Sequence, residues 1–302
     1  MDEETKLFPK VPDYHKPGKP LVPNGFGVFY VIASAVYLFL LHYFYNDSSP
    51  NLARSAIALA GCVLFGGFLG LLDDWIDLRW RYKAFLPLFA FLPLAVLREG
   101  TPRMATYFFG KIDFSTIYFN GFPIGEVLFY FCIIPVIVTV VTNTVNQLGG
   151  LNGLETVCPS IVMVGLMITT PNYSVLLIVP LATYLTLAFF NIQGKIFVGN
   201  TGSFAAGITI ASYAILANTE QTLLISILPF IFNSSLILLN VFLFGRRAAL
   251  SFDGKKLSSN HRRSLATLLA YYRPFTERQL VALISGLVAL STFTAVLVWW
   301  LK

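Results

Sequence analysis

The sequence predicts an all-α protein, a polytopic bundle of about nine transmembrane helices. Three observations predict it. Of the 302 residues, 56% are hydrophobic and only 12% are charged, with a mean hydropathy of +0.71; a soluble domain of this length carries far more surface charge. Apolar runs near the length that crosses a bilayer as helix, about 20 residues, recur along the chain. The runs are continuous, whereas a transmembrane β-barrel would alternate at period two in short segments.

Taken in order, residues 1–25 open with "MDEETKLFPKVPDYHKPGKPLVPN". This stretch is polar and proline-rich with no apolar core, so it is not a signal peptide. The spans expected are 26–46, 54–72, 84–97, 126–145, 155–170, 174–192, 203–217, 222–245 and 279–301. Segment 84–97 is short for a crossing. Segment 98–125 alternates aromatics with Gly and Pro and reads as a surface hairpin or interfacial segment. Residues 246–278 form a long basic loop, and 1–302 reads as one integral membrane domain. Cys62, Cys132 and Cys158 sit in or beside apolar runs, spaced for neither zinc nor a disulfide framework. They read as small buried hydrophobes.

Lys and Arg set the orientation. With the N-terminus inside, segments 1–25, 73–83, 146–154, 193–202 and 246–278 are cytoplasmic and hold 16 of the 21 Lys and Arg, against five outside. The sequons at Asn46 and Asn172 then fall outside. Every polar, motif-like loop falls on the cytoplasmic face, and the active site is expected there.

The first loop, "LLDDWIDLRWRYK", places Asp73, Asp74 and Asp77 at the end of an apolar run, followed by Arg79, Arg81 and Lys83. Asp73 and Asp77, four apart, are expected on one helical face. Carboxylates at a membrane boundary are costly unless hydrated, paired or metal-bound. The cluster therefore reads either as a solvated helix end paired with its cations or as part of a Mg²⁺ and phosphate site. The second loop, "TNTVNQLGGLNGLE", supplies the amides of Asn146 and Asn152, and glycines that let backbone approach a ligand. In the third, "NIQGKIFVGNTGSFAAG", Gly199 and Gly202 flank Asn200 and Thr201 ahead of a helix whose N-terminus suits a phosphate. In the fourth, "NHRR" holds His261, Arg262 and Arg263; an Arg pair there can clamp a diphosphate, or the basic residues can bind lipid headgroups. Together these groups suit phosphoryl transfer, which needs positioning and charge neutralisation more than a covalent partner.

The ordered set "DDWIDLRWRYK", "NTVNQLGGLNGLE", "KIFVGNTGS" and "NHRR" resembles the polyprenyl-phosphate N-acetylhexosamine-1-phosphate transferases. "LRWRYK" and "GGLNGLE" are most similar to the dolichyl-phosphate GlcNAc-1-phosphate transferase branch of archaea and eukaryotes, and "HKPGKPLVPNGFG" to the family's first cytoplasmic segment. The resemblance implies transfer of GlcNAc-1-phosphate, or a related HexNAc-1-phosphate, from a UDP-sugar such as UDP-GlcNAc to polyprenyl or dolichyl phosphate. UMP is released, as the first step of lipid-linked oligosaccharide assembly for N-glycosylation. It implies Mg²⁺, with Mn²⁺ as the substitute, held by Asp74, Asn146 and Asn200. Asp73, Asp74, Lys83 and His261 would be catalytic; Lys19, Asn152, Glu155, Arg262 and Arg263 would bind substrate, with Asn152 recognising the uracil. The bilayer is the other expected partner, nucleic acid is not one, and a homodimer stays open. The enzyme would sit in the plasma membrane of an archaeon or the endoplasmic reticulum of a eukaryote.

Two departures stand out. The family places an aspartate where this chain has Asn200, and commonly another span before the "KPxKP"-like segment. The first motivates an alternative, a catalytically impaired relative that only binds nucleotide sugar or lipid phosphate. An intramembrane prenyltransferase would need a second Asp-rich motif, and a transporter would place ionisable residues mid-span.

Overall fold

The computed structural model describes residues 8–106 and 110–301. The start of the polar N-terminal segment, 1–7, the middle of segment 98–125, 107–109, and Lys302 lie outside the described residues. A small hairpin, β1 (Lys10–Pro12) and β2 (Leu21–Pro23), precedes the long helices α1 (Gly27–Tyr45) and α2 (Pro50–Ile76). Short helices α3 (Trp80–Phe85) and α4 (Leu92–Val96) follow, joined by a 3₁₀ stretch. The hairpin β3 (Arg103–Thr106) and β4 (Gly110–Asp113) leads into α5 (Ile124–Leu128), which runs through a π turn into α6 (Ile134–Gln147). Then come α7 (Leu154–Thr169), α8 (Ile178–Ile192), α9 (Gly199–Leu216), α10 (Glu220–Ser226) and α11 (Leu228–Phe244). A two-residue hairpin, β5 (Ser251–Phe252) with β6 (Leu257–Ser258), precedes α12 (Leu265–Tyr272) and α13 (Glu277–Trp300).

The protein is a helical membrane bundle, but the count of nine equal spans is not met. Among the described residues five helices are long and apolar enough to cross: α1, α2, the continuous Ile124–Gln147, Ser174–Ile192 and α13. The α10–α11 pair, bent by 60°, makes a sixth if taken as one span. The bend coincides with Pro229 in the first turn of α11. Segment 84–97 breaks into short pieces around Pro87 and Pro93, where proline removes helical hydrogen bonds. The segment expected at 155–170 is α7, of 16 residues. The one expected at 203–217 is α9, buried on all sides from Thr201 to Leu216. A helix apolar all round belongs inside the bundle. Cys62 and Cys158 are buried as expected, whereas Cys132 is exposed.

Small residues bring the backbone of α9 close to its neighbours, as at membrane-helix interfaces generally. A Cβ added at Gly27 would stand 2.1 Å from the Gly202 nitrogen, and one at Gly70 2.3 Å from the Asn200 carbonyl oxygen. Only glycine lets α1 and α2 approach the start of α9 this closely. The end of α2 is thereby held against the end of the bundle where the polar loops gather. Tyr30 reinforces the packing, donating to Thr209 Oγ1 at 2.8 Å inside the core.

Candidate active site

Helix α2 ends at Ile76 because Asp77 turns left-handed, with φ 45°, while its N–H bonds the Asp73 carbonyl. This overturns the expected shared face. Asp73 is 2% exposed, whereas the Asp77 side chain stands 99% in solvent. Lys83 bridges them, with Nζ 2.8 Å from Asp73 Oδ1 and 3.2 Å from Asp77 Oδ1. Asp73 Oδ1 also accepts the Leu78 N–H at 3.0 Å, while Oδ2 is buried with no partner. Arg81 stacks on Trp80 instead of pairing with the acidic run.

Asp74 reaches across to α9. Its Oδ1 accepts the Asn200 N–H at 2.8 Å; Oδ2 accepts the Thr201 N–H at 2.9 Å and the Thr201 hydroxyl at 2.7 Å. The helix start that suited a phosphate in the sequence therefore already holds an anion, the protein's own carboxylate. Asn146, the penultimate residue of α6, donates from Nδ2 to Asn200 Oδ1 at 2.9 Å and to Ser203 Oγ at 2.8 Å. Asp74, Asn146 and Asn200, distant in sequence, thus meet at one helix end. Asp74 Oδ1 takes a single N–H and keeps a lone pair, so the donor set of one carboxylate and two amide oxygens fits a hard divalent cation.

Asn152 is buried, with Nδ2 donating to Asp13 Oδ2 at 2.7 Å and its N–H donating to Glu277 Oε1 at 2.9 Å; its Oδ1 has no partner. Lys16 pairs with Glu277 Oε2. Ligand-type atoms of Asp13, His15 and Glu277 lie within 4.8 Å of one another, but Asn152 and Lys16 already occupy both carboxylates. Asn191 closes the loop behind it, accepting the Gly153 N–H at 2.8 Å and donating to the Ile196 carbonyl at 2.9 Å. Lys19, exposed at φ 46°, packs over the Tyr14 ring.

The "NHRR" residues do not form an Arg pair facing these groups. Arg262 lies over the rings of Tyr271 and Tyr272, and Arg263 donates to the Arg247 carbonyl at 2.9 Å. His261 Nε2 accepts the Ala249 N–H at 3.3 Å. Burial, and then the nearby Arg263 charge, hold the imidazole pKa below its usual value of 6.5. A depressed folded pKa means that stability is complete above pH 6.5 and is lost as pH falls through the lowered value. Protonation also removes the acceptor for Ala249. Hydrogen exchange of the 246–264 loop is therefore expected to speed up on acidification of wild type, and His261→Gln is expected to flatten that pH dependence.

Three cavities run together along this end of the bundle. The first, 270 Å³, is lined by Asp13, Asp74, Asn152, Glu155, Asn200 and Glu277 among others. The second, 290 Å³, shares His15, Gly150 and Leu151 with it. The third, 720 Å³, shares Ile237 and Ala248 with the second and is walled by Arg79, Trp80, Arg81, Lys83, Val241 and Arg247. The neighbouring cavities are thus ordered from an acidic and amide-lined end to a basic end beside α11. His261, Arg262 and Arg263 line none of the three, although Ala249, the partner of His261, lines the second.

Residues 56–218 match the family described as glycosyl transferase family 4. The chain belongs to glycosyl transferase family 4. A Saccharolobus solfataricus relative, provisionally named UDP-N-acetylglucosamine–dolichyl-phosphate N-acetylglucosaminephosphotransferase, is 30% identical over 295 residues, covering 94% of this chain and 86% of its own. The Dictyostelium discoideum protein of the same name is 29% identical, over 73% of this chain and 62% of its own. A phospho-N-acetylmuramoyl-pentapeptide-transferase of Streptococcus uberis is 29% identical, over 76% and 68%.

For this family 4 member, sequence reading missed four residues that organise the site: Asp13, Lys16, Asn233 and Glu277. Asn233 accepts the Leu265 N–H at 2.9 Å and donates to the Gln147 carbonyl at 3.0 Å, tying α11, α12 and the end of α6 together. Nothing local marks it, since it is a lone amide within an apolar run. Asp13 adjoins the "HKPGKPLVPNGFG" segment, and only its position there hinted at a role.

Proposed function

We propose that this protein transfers N-acetylglucosamine 1-phosphate from UDP-N-acetylglucosamine to dolichyl or another polyprenyl phosphate, releasing UMP. One observation carries the reading. Asp74, Asn146 and Asn200 meet at the start of α9, in a row of neighbouring cavities that runs from an amide-lined one to a basic, aromatic groove. The relatives' names supply the substrate classes.

The uridine end occupies the cavity of Asn152. The acceptor phosphate enters the groove of Arg79, Arg81 and Lys83, with its prenyl chain along Ile237 and Val241 toward the bilayer. An acceptor phosphate oxygen attacks the β-phosphorus of the UDP-sugar; a new P–O bond forms as the bond to the UMP oxygen breaks. Asp74 is hydrogen-bonded to α9 on both oxygens, and Asp73 is buried against Lys83. Asp73, whose unpartnered Oδ2 is buried, lines none of the three cavities, which favours direct attack over a phospho-aspartate. Lys83 orients the acceptor and offsets its charge, and Glu155, half-buried in the first cavity, faces the donor. Asp74, Asn146 and Asn200 would hold Mg²⁺, or Mn²⁺ in its place, which when bound neutralises diphosphate charge. The excess of Lys and Arg on these loops supports a reaction on the cytoplasmic face.

Purified protein with polyprenyl phosphate, Mg²⁺ and labelled UDP-GlcNAc tests this. Label is expected in the lipid phase with matching UMP release, and its absence with every UDP-sugar tried would refute the reading. In the same assay Asn200→Asp keeps the acceptor for Asn146 and adds a charge, so half-maximal activity is expected at roughly tenfold lower Mg²⁺.

A further inference from the structure

The strap formed by Asp13, Lys16 and Glu277 has no part in the phosphoryl transfer described above, yet it holds the residue at the far end of the cavity. We infer that Asp13 and Glu277 are positioning residues. They fix Asn152 as an acceptor facing the cavity, so that it selects a base bearing a ring N–H, as in uracil, over one with a bare ring nitrogen, as in cytosine. The inference rests on the UDP-sugar reading, in which the family resemblance already gives the uracil to Asn152, and adds the residues that orient that amide.

The argument begins with the amide. The oxygen and nitrogen ends of an Asn side chain have nearly the same shape, so partner chemistry decides which faces where. A carboxylate oxygen only accepts, so Asp13 Oδ2, at 2.7 Å, draws Nδ2 to itself. That turns Oδ1 the other way, where it is buried without a partner in a residue 6% exposed. Glu277 Oε1 takes the Asn152 N–H at 2.9 Å and fixes the backbone, while Lys16 holds the other Glu277 oxygen. These contacts join the N-terminal hairpin, the α6–α7 loop and the start of α13.

A buried acceptor with no donor is unfavourable until a ligand supplies one. Asn152, Asp13 and Glu277 all line the 270 Å³ cavity. Two carboxylates make this end unsuitable for the diphosphate and suitable for an uncharged base, which agrees with the basic groove lying at the opposite end. An imide N–H would satisfy Oδ1. A cytosine ring nitrogen would set lone pair against lone pair, a mismatch that recognition sites reject strongly.

The test measures UMP and CMP binding to the full chain in detergent by calorimetry, alongside UDP-GlcNAc transfer kinetics. Wild type is expected to prefer UMP by at least roughly tenfold. In Asp13→Asn the new amide can donate to Asn152 and let it turn. The UMP-to-CMP preference should fall toward one and the KM for UDP-GlcNAc rise about tenfold, with kcat within about twofold. Glu277→Gln keeps an acceptor for the backbone N–H, so it should retain most of the preference. If Asp13→Asn does not fold, Asp13→Ala frees the amide equally and carries the same expectation. An unchanged preference in a folded Asp13 variant, or a lowered kcat at unchanged KM, overturns the inference. Wild type that transfers GlcNAc-1-phosphate yet binds UMP and CMP alike overturns it too, while leaving the reaction standing. Wild type that neither transfers nor binds UMP overturns both.

Discussion

Asp74→Ala is expected to remove lipid-linked label almost entirely, a loss on the order of 10³-fold, and to lower stability by about 3 kcal/mol. Both effects have one origin. The carboxylate accepts two backbone N–H groups and a hydroxyl at the start of the buried helix α9. Removing it leaves those donors without a partner in a tightly packed helix end, costlier than loss of an exposed cap. The same change strips the only carboxylate from the proposed metal set. Asp74→Asn separates the two roles. It fits the space and keeps one acceptor, while its NH2 faces the second backbone N–H. Part of the stability should therefore return in a thermal unfolding measurement, while transfer stays low because the charge is gone. Full activity in Asp74→Asn would show that the carboxylate serves only as a cap.

Lys83→Ala carries the second large effect. It strands Asp73, whose side chain is 1% exposed, with a hydrogen bond from Leu78 and no counter-charge. Breaking a fully buried pair costs about 3–5 kcal/mol; because the Lys83 side chain is 28% exposed, about 2 kcal/mol is expected here. Adding Asp73→Asn removes the stranded charge and should recover part of that loss, a coupling that a double-mutant cycle measures. Transfer should remain down by roughly 10²-fold in both, since the groove has lost a phosphate partner. The pH dependence has a definite sign. Burial alone would lower the Lys83 pKa, but Asp73 and then Asp77 outweigh it and leave it raised above 10.5. The pair therefore contributes fully below the unfolded lysine value and is lost only as pH rises through the folded one. Its stabilisation should be constant from about pH 6 to pH 9.

The loops proposed to carry chemistry were legible because each breaks an apolar run with residues that a membrane boundary tolerates only for a reason. Asp73 and Asp74 in α2, Asn146 and Asn152 around the glycines, and Asn200 in the first turn of α9 were all named from that contrast. What each one touches was not legible. Asp77 was placed on a face with Asp73 by a helical spacing that ends one residue too early. The α9 start was given to a phosphate because local sequence cannot show that Asp74, 126 residues away, already bonds it. The Arg262 and Arg263 pair was read as a clamp from proximity in sequence, but aromatic rings and a carbonyl hold the two side chains elsewhere.

By itself the sequence determined the class of protein, the long apolar helices and the end of the bundle where polar residues gather. These follow from hydropathy and charge, which each residue carries independently of its neighbours in space. The tertiary structure alone decided which apolar helices face outward and which, like α9, are enclosed, because apolarity is the same toward lipid and toward another helix. It alone decided that Asp13, Asn152 and Glu277 form one strap. Hydrogen bonds between residues 125 and 139 positions apart depend on how the helices pack, and no local pattern records that packing.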